Sequence, residues 1–335
     1  MATVELQPVA PTSLLSPPRR GHAYGVVLES AAFFPGLQAV EQPLPKRLTA
    51  WRETSAEEID GAWPVAEGRL LHERRHPDGR LFLRVDSREG VGYRIWAPYY
   101  GRHLVSPDGG SVESALPRVP FARWQRLFFG EALPLAACLQ GLHLLRSSAV
   151  AIDGRVVAFV GPRDSGKTAF VAHLVALGAE FVSDDALALE LTPAGLVAHP
   201  GPTRLSIERA ELERVPSMRR GRVGDCIGRS DKLILEPAPI AGPLPLGRIY
   251  VLRPGSAVER VAITPARPEP LELLLGATAV AYLRAPRVLR LQLEVCSALA
   301  ETIPIDDVDL PGSCRAGEVA AEVFAHCAGP TGKTR

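Results

Sequence analysis

The chain has 335 residues, 46% of them hydrophobic and 22% charged, with a formal net charge of +1. That is enough apolar material for one large core or two smaller ones, and it excludes the composition of a disordered chain. A balance this near neutral also argues against a nucleic-acid or membrane surface as the main partner, because both need a marked basic excess.

Residues 1–22 lack both a basic and an apolar signal region, and Pro-Pro-Arg-Arg at 17–20 reads as a disordered lead-in. Apolar runs such as Leu133–Leu139 are too short to span a bilayer, so a cytoplasmic location is expected. From 23 to 118 short alternating segments at 25–28, 68–73, 80–85, 91–96 and 103–105 are broken by turn signals, among them Pro-Asp-Gly at 77–79 and Pro-Asp-Gly-Gly at 107–110. These predict a small β-rich domain, a scaffold or substrate-docking module without a catalytic constellation of its own. Between 119 and 146, Phe121, Trp124, Leu127, Phe128, Leu135, Leu139 and Leu142 recur at helical spacing and predict one or two helices. Their aromatic rings read as core rather than as a platform for bases.

Next come Ala149 to Ile152, a turn at Asp153 and Gly154, and the apolar run from Val156 to Val160, a β-hairpin whose second strand is buried. A glycine-rich loop follows at once. The helix after it, over 168–177, carries Phe170, Val171, Leu174 and Leu177 and stops at Gly178. Strands are expected at 180–183, 186–191, 196–199, 204–207, 233–235 and 248–252, with a proline-rich loop at 237–245. Helical patterns near 269–283, 286–299 and 315–327 flank an extended 302–308, and 329–335 reads as a disordered tail. Five cysteines (Cys138, Cys226, Cys296, Cys314, Cys327) without a CxxC pair fit neither a disulfide framework nor a zinc site, and are read as reduced and structural.

The loop is Gly-Pro-Arg-Asp-Ser-Gly-Lys-Thr at 161–168. Gly161 and Gly166 let backbone N–H groups turn inward, and with the N-terminus of the next helix they surround phosphates with donors. Positive charge in this chain is carried almost wholly by arginine, the lysines being Lys46, Lys167, Lys232 and Lys333, so a lysine in the loop is informative. Lys167 would place a point charge on the β and γ oxygens, Thr168 would offer its hydroxyl to Mg²⁺, and Arg163, Asp164, Ser165 and Ala169 complete the expected contacts with ATP. A metal on the phosphates needs a carboxylate, and an attacking hydroxyl gains from a base. Asp184 and Asp185 are the candidates for both tasks, since adjacent acids at a strand end point in different directions. On the residues alone, a pair of ordinary turn acids is the alternative.

These residues resemble the catalytic domain of HPr kinase/phosphorylase and its HPr-kinase-related relatives. The resemblance rests on Lys167, Leu177-Gly178-Ala179, the acid pair seventeen residues after the lysine, Leu145-Arg-Ser-Ser-Ala-Val150, Pro200-Gly-Pro-Thr-Arg-Leu205, Lys232 and Pro243-Leu-Pro-Leu246. It covers about 120–310 and implies an α/β, PEP carboxykinase-like P-loop kinase domain at 119–328 with a mixed sheet. It also implies ATP-dependent transfer to a serine hydroxyl of a peptide or small protein, by analogy the precursor of a modified peptide. In that scheme Asp184 is the general base, Asp185 a Mg²⁺ ligand, and Arg204 or Lys232 a clamp on transferring charge.

Arg146 stands where the family has a histidine, and Asp164 adds negative charge inside the loop. The Glu-Ile-Arg-Gly-Leu-Gly-like stretch of true HPr kinases is missing, so HPr itself is not the expected acceptor. A nucleotide-binding regulator with little catalysis and a small-molecule kinase stand as alternatives. Homo-oligomerisation is left open.

Overall fold

The computed structural model describes residues 19–32, 34–40, 46–63, 68–117, 121–215, 223–224, 232–240, 242–312 and 314–328. The tail expected at 329–335 and residues 1–18 of the expected lead-in fall outside them. Residues 19–22 of that lead-in are instead part of strand β1 (Arg19–Ala23), which turns at Tyr24 and Gly25 and pairs antiparallel with β2 (Val26–Ser30). The two arginines that suggested a solvated lead-in sit at the exposed end of β1, and its buried positions begin at Gly21.

The first sheet continues with β3 (Gln38–Ala39), β4 (Leu48–Glu53), β5 (Arg69–Arg75), β6 (Leu81–Arg88), β7 (Gly92–Ala97), β8 (Gly101–Val105) and β9 (Ser111–Ala115). Its order is β3-β1-β2-β4-β9-β8-β7-β6-β5, and it is mixed, because β4 runs parallel to both β2 and β9. Helix α1 (Ala56–Ala62), missed in the sequence, is started by Ser55, whose side chain accepts from the Glu58 N–H.

The segment read as one or two helices is one continuous run: α2 (Phe121–Leu127), a π turn (Phe128–Ala132) and α3 (Leu133–Leu139). Pro134 has no N–H to return to the Gly130 carbonyl, and the widened turn absorbs that gap. It sets Gly130 and Glu131 toward the cavity described below.

The first sheet packs on this run through a close approach at Gly109. A Cβ built there would lie 2.4 Å from the Ala136 carbonyl oxygen, at a φ of +75°. The Gly109 carbonyl meanwhile accepts from Thr49 Oγ1 and Gln140 Nε2, both at 2.9 Å. Gly109→Ala is expected to cost on the order of 3 kcal/mol, from backbone strain plus a contact that neither side can relax, read as a lower urea midpoint at unchanged m-value.

The second sheet has the order β10-β14-β15-β19-β12-β11-β13. Its strands are β10 (His143–Leu145), β11 (Ser147–Ile152), β12 (Arg155–Val160), β13 (Glu180–Ser183), β14 (Leu187–Thr192), β15 (Gly195–His199) and β19 (Leu244–Pro254). The hairpin expected before the glycine loop is β11–β12, and β12 runs parallel to β19 on its other side. Flanked on both edges, β12 is buried from Val156 to Val160, as a fully covered strand must be. Strand β20 (Ala262–Ala266), also missed, joins β21 (Ile305–Leu310), which pairs with β19.

Alternate residues of β12 serve opposite faces. Val157 and Phe159 meet α4 (Lys167–Ala176) and α8 (Ala316–Ala328), while Val156, Ala158 and Val160 face α6 (Pro270–Ala277) and α7 (Pro286–Thr302). Each such large buried side chain contributes about 1.5–3 kcal/mol of apolar burial.

A small third sheet holds β16 (Leu205–Glu208), β17 (Val223–Gly224) and β18 (Lys232–Leu235), with the four-residue helix α5 (Arg209–Leu212) after β16. The architecture is therefore mixed α/β with mixed sheets. The helix expected over 269–283 ends at Ala277, and Leu244 and Pro245, expected in a loop, begin β19. Among the described residues no helix is long and apolar enough to cross a membrane, and Cys138, Cys296, Cys314 and Cys327 are free thiols. Cys226 lies outside the described residues.

Candidate phosphate-binding site

The loop at 161–166 leaves the C-terminal end of β12 and enters α4 at once. Gly166 is the residue before the helix and sits in the left-handed region at φ 86°, where a side chain would be strained. No side chain caps α4. Its first N–H groups are therefore available to an anion, helped by the positive end of the helix dipole.

Lys167 folds back on its own loop. Its Nζ donates to the carbonyls of Gly161 at 3.0 Å and Pro162 at 2.6 Å and to Ser165 Oγ at 3.2 Å. Burial pulls the ammonium below its usual pKa, and the Arg146 charge adds to that, while Asp185 and Asp184 oppose it. Asp164, whose negative charge looked unfavourable beside phosphates, stands 82% exposed with Arg163 Nε 3.9 Å from its carboxylate. Its charge is turned to solvent and screened.

Asp184 and Asp185 follow β13 and are held differently. Asp184 is buried and accepts from Ser148 Oγ at 2.6 Å and Thr168 Oγ1 at 3.0 Å, with the Ser206 N–H at 3.5 Å. Burial, then the Asp185 charge, raises its pKa to about 7, and those three hydrogen bonds pull the other way. Asp185 is exposed and left-handed, at φ 67°. Ser183 at the strand end fixes the turn by donating to the Ala186 carbonyl.

Two adjoining cavities meet at these acids. The larger, about 450 Å³, is walled by loop residues 163–169, by Asp185 and Lys232, and by Ile207, Glu208 and Glu211. It is also walled by Arg126, Glu131 and Arg146 and by three residues of the first-sheet region, Arg74, Phe82 and Tyr100. The smaller, about 100 Å³, is lined by Tyr24, Phe129, Asp184, Asp185, Arg204 and Lys232 among others. Of the sequence-derived candidates, Arg163, Asp164, Ser165, Gly166, Lys167, Thr168, Ala169, Asp185 and Lys232 share the larger cavity. Gly161 sits behind it as the partner of the Lys167 ammonium. Arg204 belongs to the smaller one, its Nη1 donating to Gln125 Oε1 at 2.8 Å and its guanidinium 5.5 Å from the Phe129 ring.

Sequence reasoning missed Ser148 and Ser206, which orient Asp184, and the wall formed by Arg74, Phe82, Tyr100, Arg126 and Glu131. No local pattern marks these residues. Ser148 resembles any strand serine until β13 is placed beside β11, and Arg74 resembles any edge-strand arginine until the first sheet is docked.

The oxygen donors fit a magnesium ion. Thr168 Oγ1 and the Asp184 carboxylate are in contact, with Asp185 adjacent in sequence. Among the described residues no group of three or more His, Cys, Asp or Glu side chains could hold a metal by itself.

No family model matches the chain, and no curated protein matches it. Among solved structures the chain is similar to the HPr(Ser) kinase/phosphatase from Coxiella burnetii. The identity is 12% and the TM-score 0.30, over 55% of this chain and 95% of that one. A likeness at that score is distant.

Proposed function

We propose that the chain is a Mg²⁺-dependent phosphotransferase that binds ATP on the 161–168 loop and transfers the γ-phosphate to a hydroxyl of a peptide or small protein. The observation that carries this reading is the Thr168–Asp184 contact at the mouth of an uncapped helix, with Lys167 beside it and a second carboxylate facing an adjoining cavity. Loop N–H groups and the α4 N-terminus hold the phosphates, and Lys167 exchanges its loop carbonyls for phosphate oxygens. A bound Mg²⁺ would be held by Thr168 and Asp184 and would neutralise phosphate charge.

Asp184 touches the hydroxyl that would hold the metal, whereas Asp185 is exposed to both cavities. We therefore assign Asp184 to the metal side and Asp185 to orienting the acceptor hydroxyl and taking its proton, the reverse of the division implied by the family resemblance. Lys232, which reaches both cavities, is assigned to the transferring charge, and Arg204 to the acceptor side. A nucleotide-binding regulator is the second reading, favoured by the way Lys167 is tied to the Gly161 and Pro162 carbonyls.

Calorimetry with AMP-PNP with and without Mg²⁺, followed by label transfer from γ-labelled ATP to serine peptides, separates these readings. Binding that depends on Mg²⁺ with transfer supports the kinase, and binding without transfer to any acceptor supports the regulator. Asp185→Asn should keep Mg²⁺-dependent binding and lose at least 100-fold in transfer, the size of a general-base effect. Absence of nucleotide binding would sink both readings.

A further inference from the structure

We propose that Arg74, Arg126 and Arg146 form a second anion subsite, beside the phosphate loop, that holds a carboxylate of the hydroxyl acceptor. The inference rests on the phosphotransferase reading and deepens it by naming an acidic acceptor.

Three separate parts of the chain deliver these guanidiniums to one cavity. Arg74 comes from β5, Arg126 from α2 and Arg146 from the junction of β10 and β11. Arg74 is held in place, its guanidinium 4.8 Å from the Phe82 ring centroid and its Nη2 3.3 Å from Glu131 Oε1. Its Nε is buried without a partner, which leaves one edge of a planar fork unused. Arg146 is exposed, and its side chain reaches the Ala279 carbonyl at 3.4 Å. Among the described residues neither Arg126 nor Arg146 has a carboxylate within ion-pairing distance.

Glu131 is the acid that Arg74 bonds and that the Arg146 charge reaches. The cavity's other acids are engaged or aimed elsewhere: Glu211 meets His173 and Arg214, Asp164 lies beside Arg163, Asp185 faces Lys167 and the acceptor cavity, and Glu208 lines the far side next to Ile207. Arg126 and Arg146 are exposed at the cavity edge and Arg74 is partly buried behind them, so like charges that line one cavity repel until an anion joins them. The nucleotide does not meet that need, because in the proposed reading its phosphates are served by the loop N–H groups, the α4 N-terminus and Lys167.

The cluster lies toward the reacting end. Arg146 is close enough to Lys167 to lower its pKa, and Arg126 lines both the loop cavity and the cavity holding Asp184, Asp185 and Arg204. An acceptor hydroxyl brought to Asp185 would place a neighbouring acidic group on this wall, with Phe82 and Tyr100 against its apolar part. Arginine suits the task because its fork meets carboxylate or phosphate oxygens in pairs.

Inorganic phosphate titrated into the full chain saturated with Mg²⁺ and AMP-PNP tests the subsite. The parent should bind phosphate alongside the nucleotide. Arg74→Ala and Arg146→Ala should each weaken phosphate at least tenfold while changing AMP-PNP affinity less than threefold. Glu131→Gln, which removes the resident anion, should strengthen phosphate binding, an opposite sign that misfolding does not produce. Phosphate that competes with AMP-PNP, or binds the arginine variants as it binds the parent, overturns the subsite.

If the chain binds no AMP-PNP, the phosphotransferase reading fails by itself, and the same phosphate titration on Lys167→Ala still reads the arginine wall. Displacement of phosphate by N-acetyl-Ser-Asp-amide points to a peptide carboxylate, and displacement by glycerate to a small hydroxy acid. Equal displacement by N-acetyl-Ser-Asn-amide, or none by any of the three, overturns the acidic acceptor.

Discussion

Lys167→Ala is expected to weaken binding of the Mg²⁺–ATP complex about 100-fold and to reduce phosphate transfer below detection, with little change in stability. The size follows from what the ammonium can give. Nζ makes two hydrogen bonds to loop carbonyls and one to Ser165 Oγ, all replaceable by phosphate oxygens. Two charge-assisted hydrogen bonds at about 1.5 kcal/mol each come to roughly 3 kcal/mol, or about two decades in affinity. Stability changes little because the lysine is only partly buried and water can reach the freed Pro162 carbonyl. Were 161–168 an ordinary glycine turn before a helix, the variant would leave nucleotide affinity unchanged. Equilibrium binding of a fluorescent ATP analogue, beside a urea titration of both proteins, separates the outcomes.

The parts of the site legible in the sequence are those fixed by local backbone chemistry. A buried strand, a loop with glycines at both ends and an apolar-striped helix specify one another over about twenty residues, and β12, the loop and α4 are where they were expected. The acid pair was legible for the same reason, because β13 ends at Ser183 and the turn places both carboxylates at the cavity mouth. What each acid touches was not legible. Asp184 meets Thr168 and Ser148 only because β13 pairs with β11, and pairing between distant strands leaves no local pattern.

The first sheet shows the same limit more strongly. Its hairpins were visible as alternation and turns, but β1, β4 and β9 were not expected. β4 pairs in parallel with both β2 and β9, a pairing that no hairpin signal announces. The docking of that sheet follows from contacts between remote segments. Tyr24 N–H donates to the Pro200 carbonyl at 2.7 Å, and Arg47 pairs with Glu190, which also meets His199 at 2.8 Å. Those contacts bring the Arg74 wall to the phosphate loop.

Asp184→Asn is expected to make the protein more stable at pH 8 and at least 1000-fold slower in transfer. In the folded chain the Asp184 carboxyl titrates near pH 7, against an ordinary value of 3.8, chiefly because burial disfavours its charge. The folded state therefore holds a proton that the unfolded state has released between about pH 4 and 7. Over that window stability falls as pH rises, and it levels off above the folded value. The difference between the two values corresponds to a loss on the order of 4 kcal/mol.

Other groups also contribute. Buried His103 and His143 are shifted down to about 3 and about 4, which makes stability rise with pH, so the absolute profile is mixed. The difference between parent and variant isolates Asp184. It should be smallest below about pH 4 and grow to a plateau above pH 7, in favour of the variant. Mg²⁺ with AMP-PNP should then stabilise the parent at pH 8 and scarcely affect the variant, because the charge that destabilises the empty site is the one assigned to the metal. A difference independent of pH would show that Asp184 is paired throughout, and its assignment to the metal side would fall with it.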